Sequence, residues 1–220
     1  MNKLKSIASV FTAFLLVVGL AGCSNASGKA ADSSVPETKP ADSENQDASE
    51  APAETPAETP SAHTDVLVAY FSATGTTKGV AERITSVTGG DLYEILAAEP
   101  YTNDDLNYND HSSRSTSEQN DKNARPAIGS EEISLEGYTT VYLGFPIWWG
   151  EEPRILDTFV EAHDFDGITV IPFCTSGGSG IGRSGANMEA LAKSGTWLKG
   201  ERFSGSVSED EIRSWIDSLK

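Results

Sequence analysis

The chain has 220 residues, of which 22% are charged, and a formal net charge of -17 at pH 7. Nucleic acid and anionic membrane surfaces are bound through basic patches, so this balance argues against both and favours cationic partners or small uncharged molecules. There is no Gly-x-Ser-x-Gly elbow, and His63, His111 and His163 are isolated, so hydrolase and zinc-enzyme chemistry find little support.

The N-terminus carries Lys3 and Lys5 and then an almost wholly apolar run from Ile7 to Leu20. That order reads as a secretory signal, and the run is shorter than the roughly twenty residues a transmembrane helix needs. Leu20-Ala21-Gly22-Cys23 resembles the lipobox of bacterial lipoproteins. The resemblance implies cleavage of residues 1–22, a lipid on Cys23, and an anchor at the extracytoplasmic face of the cell membrane. Cys174 is then the one thiol left in the mature chain, so no internal disulfide is expected. Residues 23–63 are rich in Ala, Ser, Pro, Glu and Thr, have no aromatic residue and include the near-repeat Pro52 to Pro60. Such a composition cannot bury enough apolar surface to fold and reads as an extended tether.

The folded domain is expected over residues 64–220. Val66 to Phe71 is a buried-strand run, and Gly79 to Thr88 has helical spacing with Val80, Ile84 and Val87 on one face. Asp91 to Ala97 is a second strand. The polar stretch from Glu99 to Ala127 is an insertion with a helix expected from about Leu106 to Lys122, and loops this long are usually functional or mobile, so it is expected to pack beside the site. Thr140 to Phe145 is a third strand, followed by a helix from Pro153, suited to the first helical position, to about His163. Ile168 to Cys174 is a fourth strand, Ala186 to Lys193 a helix, and Thr196 to Phe203 a fifth strand. Ser208 caps a last helix to Leu219, with Glu211 at the capping-box position. Continuous apolar strands, each followed by a helix, predict an α/β fold: a doubly wound, five-stranded parallel sheet with helices on both faces. Ligands in that architecture bind beyond the carboxyl ends of the strands.

Three loops lie there. Ser72-Ala73-Thr74-Gly75-Thr76-Thr77 leaves the first strand and enters a helix at Lys78. It is either an anion site built from hydroxyls and helix-start amides or a Ser/Thr-rich turn with a cap. Pro146-Ile147-Trp148-Trp149-Gly150 follows the third strand. Its adjacent tryptophans offer a stacking platform, unless they only cover the core. Thr175-Ser176-Gly177-Gly178 opens a glycine-rich loop after the fourth strand, where backbone amides can approach a ligand closely. Cys174, ending an apolar strand, reads as a small core residue.

The three loops, in this order, resemble those of flavodoxins. The resemblance covers residues 64–220 and implies strand order 2-1-3-4-5 and an FMN cofactor. Carried over, Ser72, Thr74, Gly75, Thr76 and Thr77 would hold the phosphate with little help from basic side chains. Pro146, Ile147, Trp148, Trp149 and Gly150 would line the ring, one of the tryptophans touching it, and Thr175, Ser176, Gly177 and Gly178 would supply hydrogen bonds to it. Lys78 has no match in the phosphate role and is read as a helix-surface residue. The implied function is electron transfer with a redox partner protein that has a basic docking surface, the membrane being met only through the lipid. Two alternatives stay open: an NAD(P)H-dependent quinone or FMN reductase on the same fold, and a non-catalytic, surface-displayed flavin-binding module.

Overall fold

Leu67, Val68, Ala69 and Tyr70 are almost completely buried, as expected of a strand covered on both faces. They form β1 (Val66–Tyr70) in a computed structural model that describes residues 64–220; the expected leader, Cys23 and the tether lie outside the described residues. The elements alternate as expected: α1 (Thr76–Thr88), β2 (Asp91–Glu94), α2 (Arg114–Asn120), β3 (Thr140–Pro146), α3 (Arg154–Ala162), β4 (Thr169–Thr175), α4 (Ser184–Ala192), β5 (Thr196–Trp197), β6 (Glu201–Phe203) and α5 (Glu209–Ser218). The sheet is parallel throughout, in the order β2-β1-β3-β4-β5, with β6 also against β4.

Two cores flank the sheet. On one face Val80, Ala81 and Ile84 of α1 and Ile212 of α5 pack over Val68, Tyr70, Tyr142 and Phe173. On the other, Ile155, Leu156, Phe159 and Val160 of α3 and Met188 of α4 cover Leu67, Ala69, Leu143 and Cys174. Successive strand residues point to opposite faces, which divides each strand between the two cores. The last helix starts as expected: Ser208 Oγ accepts from the Glu211 N–H (3.2 Å), and the Glu211 carboxylate accepts from the Ser208 N–H (2.9 Å).

Several expectations need correction. The second strand stops at Glu94 because Leu96 and Ala98 bond back to Gly129 and Ala127, at 2.8 and 2.9 Å, where the insertion returns. Pro153 is the N-cap of α3, one position earlier than expected. The helix of the insertion is only Arg114–Asn120. The fifth strand is broken in two, and Pro172 explains the break. In a parallel ladder alternate residues turn their N–H and C=O toward the same neighbour. Val170 O accepts from the Leu198 N–H (2.9 Å), so Pro172, two residues on, faces the fifth strand with no N–H to give. The chain bows away over Leu198–Gly200 and resumes pairing when Glu201 meets Phe173.

Candidate functional site

The carboxyl ends of β1, β3 and β4 converge on one cavity of about 790 Å³, within the roughly 300–1,000 Å³ range of small-molecule sites. From the first loop Ser72, Ala73, Thr74, Thr76 and Thr77 line it; from the second Pro146, Ile147 and Trp148; from the third Thr175, Ser176 and Gly177. Gly75, Trp149, Gly150 and Gly178 belong to the same loops but do not line the cavity.

The first loop is shaped by Gly75, whose φ of 85° is left-handed and suits glycine. Its N–H donates to Ser72 Oγ (3.1 Å), so Gly75 serves the turn, and the anion-facing donors are elsewhere. Helix α1 begins at Thr76, two residues before the expected Lys78, and its first backbone bond runs from the Gly79 N–H to Gly75 O (3.0 Å). The N–H groups of Thr76, Thr77 and Lys78 are thus the unbonded first-turn donors that favour an anion. Thr77 is buried and shares a 2.8 Å hydrogen bond with Thr175, tying the first loop to the third. Lys78 is half exposed and pairs with Glu94 (3.3 Å), a surface role as expected.

The second loop is a hairpin. The N–H of Trp148 donates to Glu151 O (2.9 Å) and the N–H of Glu151 donates to Trp148 O (3.0 Å). Between them Trp149 and Gly150 have φ of 49° and 86°, the pattern of a type I′ turn. The turn separates the tryptophans. Trp148 is 3% exposed and makes edge-to-face contacts with Phe71 and Tyr101, ring centres 5.6 and 5.0 Å apart. It is both core and cavity wall. Trp149 is 41% exposed, and its ring centre lies 4.6 Å from that of Tyr108 at the rim.

The insertion braces this hairpin. Buried Gln119, on α2, donates through Nε2 to Trp148 O (3.0 Å) and Glu152 O (3.1 Å), gripping both ends of the turn. Behind it lies a buried charge cluster. Arg154 meets Glu151 at 2.8 Å, Asp157 at 3.4 Å and Glu152 at 3.7 Å, and donates to Gln119 O at 3.1 Å. Burial pushes the Glu152 carboxyl above its ordinary range. Burial, then the charge of Glu152, pushes Asp157 up to about 6, against the pull of Arg154 and Arg125. Cys174 is fully buried and its thiol is pushed up to about 12, which suits a core residue and not a thiolate.

Sequence reasoning did not find all of the lining. Asn103, Leu106 and Tyr108 come from the insertion, and Arg202, Ser204 and Gly205 from the end of the fifth strand. The second group had a signal: the rule that placed the site at strand ends applies to the fifth strand as well. The insertion was expected beside the site from its length alone, and it is there, but nothing local says which of its residues fold back onto the cavity. Among the described residues no cluster of His, Cys, Asp and Glu could hold a metal ion, and no helix is long and apolar enough to cross a membrane.

The cavity is thus lined by hydroxyls and helix-start residues of the first loop and by Pro146, Ile147 and Trp148 of the second. A family model described as flavodoxin matches residues 65–219. A crystal structure of a candidate flavoprotein from Bacteroides eggerthii is 46% identical, covers 70% of this chain and 96% of its own, and superposes with a TM-score of 0.66. Another, from Bacteroides uniformis, is 43% identical over 70% of this chain and 99% of its own, with a TM-score of 0.67. A flavoprotein from Lactobacillus acidophilus, solved in complex with FMN, shares the fold at 20% identity and a TM-score of 0.54, over 69% of this chain and 97% of its own. No curated protein matches the sequence.

Proposed function

The chain belongs to the flavodoxin family, and on that premise we propose that it binds FMN and carries electrons at the outer face of a bacterial cell membrane, held there by lipid on Cys23. The observation that carries the reading is the single cavity in which three strand-end loops meet. The donor set fits the cofactor. Hydroxyls of Ser72, Thr74 and Thr76 and the first-turn amides of α1 would hold a phosphate without a lysine or arginine among them. Ile147 and Trp148 would flank a planar ring. The third loop would approach it with little obstruction, since a Cβ built on Gly177 or Gly178 meets nothing within 4 Å. FMN supplies the one- or two-electron chemistry; the protein positions the ring, excludes water from part of it and sets its electrostatics.

The absorbance spectrum of the isolated protein tests this directly. Yellow protein, or colourless protein that quenches FMN fluorescence on titration, is the expected result; neither would overturn it. Thr74→Val removes an exposed hydroxyl that has no hydrogen-bond partner among the described residues. A hydrogen bond to a charged group contributes about 1.5–3 kcal/mol, so FMN affinity should fall at least tenfold with the melting temperature unchanged. Loss of the yellow colour's reduction by a donor protein, with direct oxidation of NADPH in the presence of a quinone, would replace the carrier by a reductase. The anchor has its own test: labelled palmitate should enter the wild-type chain and not Cys23→Ser.

A further inference from the structure

Resting on the FMN reading above, we propose that Arg202 sets the redox preference of the site, as a fixed positive charge beside the ring that favours its reduced, negatively charged form. Arg202 is the one formally charged residue among those lining the cavity. Its guanidinium is held in place: Nη2 donates to Ser176 O (2.9 Å) and Nε donates to Ser176 Oγ (3.3 Å), while Ser176 Oγ donates on to Ser179 O. Among the described residues no carboxylate forms an ion pair with it. The neighbouring Glu201 carboxylate accepts instead from the Arg202 backbone N–H (2.9 Å).

The sheet register says to which face of the sheet Arg202 projects. Arg202 lies opposite Cys174, which packs in the core under α3 and α4, while Phe203 packs in the core with α1 and α5. Alternation along the strand therefore sends Arg202 to the face away from α1, whose first turn gathers the hydroxyls. Its contact with Ser176 fixes it against the third loop, on the ring side.

Full reduction adds two electrons, supplied by a donor protein or, in a titration, by dithionite, and one proton from solvent, and leaves one net negative charge on the ring. The positive guanidinium of Arg202 offsets that charge through space. Because its hydrogen bonds to Ser176 already hold it, little reorganisation accompanies the change. The carboxylates of this acidic chain act in the opposite sense, but from solvent, where salt screens them beyond about 8–10 Å.

Potentiometric titration of the full-length, FMN-loaded protein, alongside fluorescence titrations with FMN and riboflavin, decides the matter. Arg202→Gln should lower the preference for reduced FMN about tenfold, a downward shift of about 30 mV for a two-electron couple. Affinity for oxidised FMN should change less than threefold. Arg202→Lys should keep most of the wild-type potential, and Arg202→Met, which retains the packed stem, serves as the uncharged variant should Arg202→Gln not fold. An unchanged potential in the uncharged variant would overturn the proposal. So would equal shifts in the lysine and glutamine variants, since the Ser176 hydrogen bonds would then be responsible. A large loss of FMN affinity with riboflavin affinity intact would assign the charge to the phosphate instead. Wild-type protein that binds no FMN fails the earlier reading, before any variant is made.

Discussion

At Gly144 the sheet leaves no room for a side chain. The residue sits opposite Phe173 in the β3–β4 register, and a Cβ there would lie 2.6 Å from Phe173 Cε2 and closer still to Cζ. Phe173 is fully buried, so its ring cannot swing into solvent. Gly144→Ala should therefore cost about 1–3 kcal/mol, the usual range for overpacking, read from the urea midpoint. Adding Phe173→Leu should return part of that loss, a coupling expected only of residues in contact. The sequence places Gly144 in the third strand but does not show that the position needs glycine, because what forbids the side chain is a residue 29 positions away. Thr77 makes the same point at the site. Its spacing with Thr74 and Thr76 suggests three equivalent hydroxyls, yet only Thr77 is buried against Thr175. Of the three, it joins the stability of the fold to the binding of ligand.

Helix α3 presents Arg154 and Asp157 to the interior although both are charged, and the element's stability follows pH as a result. The ordinary Asp value of 3.8 rises to about 6 on folding, so the folded state holds the proton more tightly than the unfolded chain. Stability from this group is greatest in acid, falls as pH rises from about 4 to about 6, and is flat above that. Asp157→Asn stays neutral at every pH. Its melting temperature minus that of the wild type should consequently be more positive at pH 8 than at pH 4.5; a difference independent of pH would mean that Asp157 titrates normally. The cluster also explains why α3 was legible as a helix but not as a brace, since nothing in its spacing shows that its charged residues meet α2. The insertion was the least legible element. Asn107 Oδ1 accepts from the Asn109 N–H (3.0 Å) and Asp110 Oδ1 from the Ser112 N–H (2.8 Å). These short-range bonds compete with helical ones, and the helix expected from Leu106 forms only from Arg114.

Across the whole molecule, what could be read in advance was what repeats: strand runs, helices between them, and loops at one edge. Those features depend on neighbours in sequence, and they were enough to place the three loops. The broken fifth strand depends on Pro172 meeting a strand some 25 residues later, and Arg202 is carried to the cavity by the strand's re-entry. Net charge is also a property of the whole. At -17 the molecule sets up a long-range negative potential, and the proposed partner with a basic surface would be drawn by it. Small oxidants isolate this effect from docking contacts. Reduced protein should be reoxidised by cobalt(III) hexaammine at a rate that falls as salt rises from 10 to 150 mM, as the Debye length shrinks from about 30 to about 8 Å. With ferricyanide, an anion, the rate should rise over the same range. Opposite salt dependences would mean that surface charge reaches the mouth of the cavity, over the short-range field of Arg202. If both rates ignore salt, the charge is not felt there, and a basic partner has no electrostatic advantage in delivering or removing electrons.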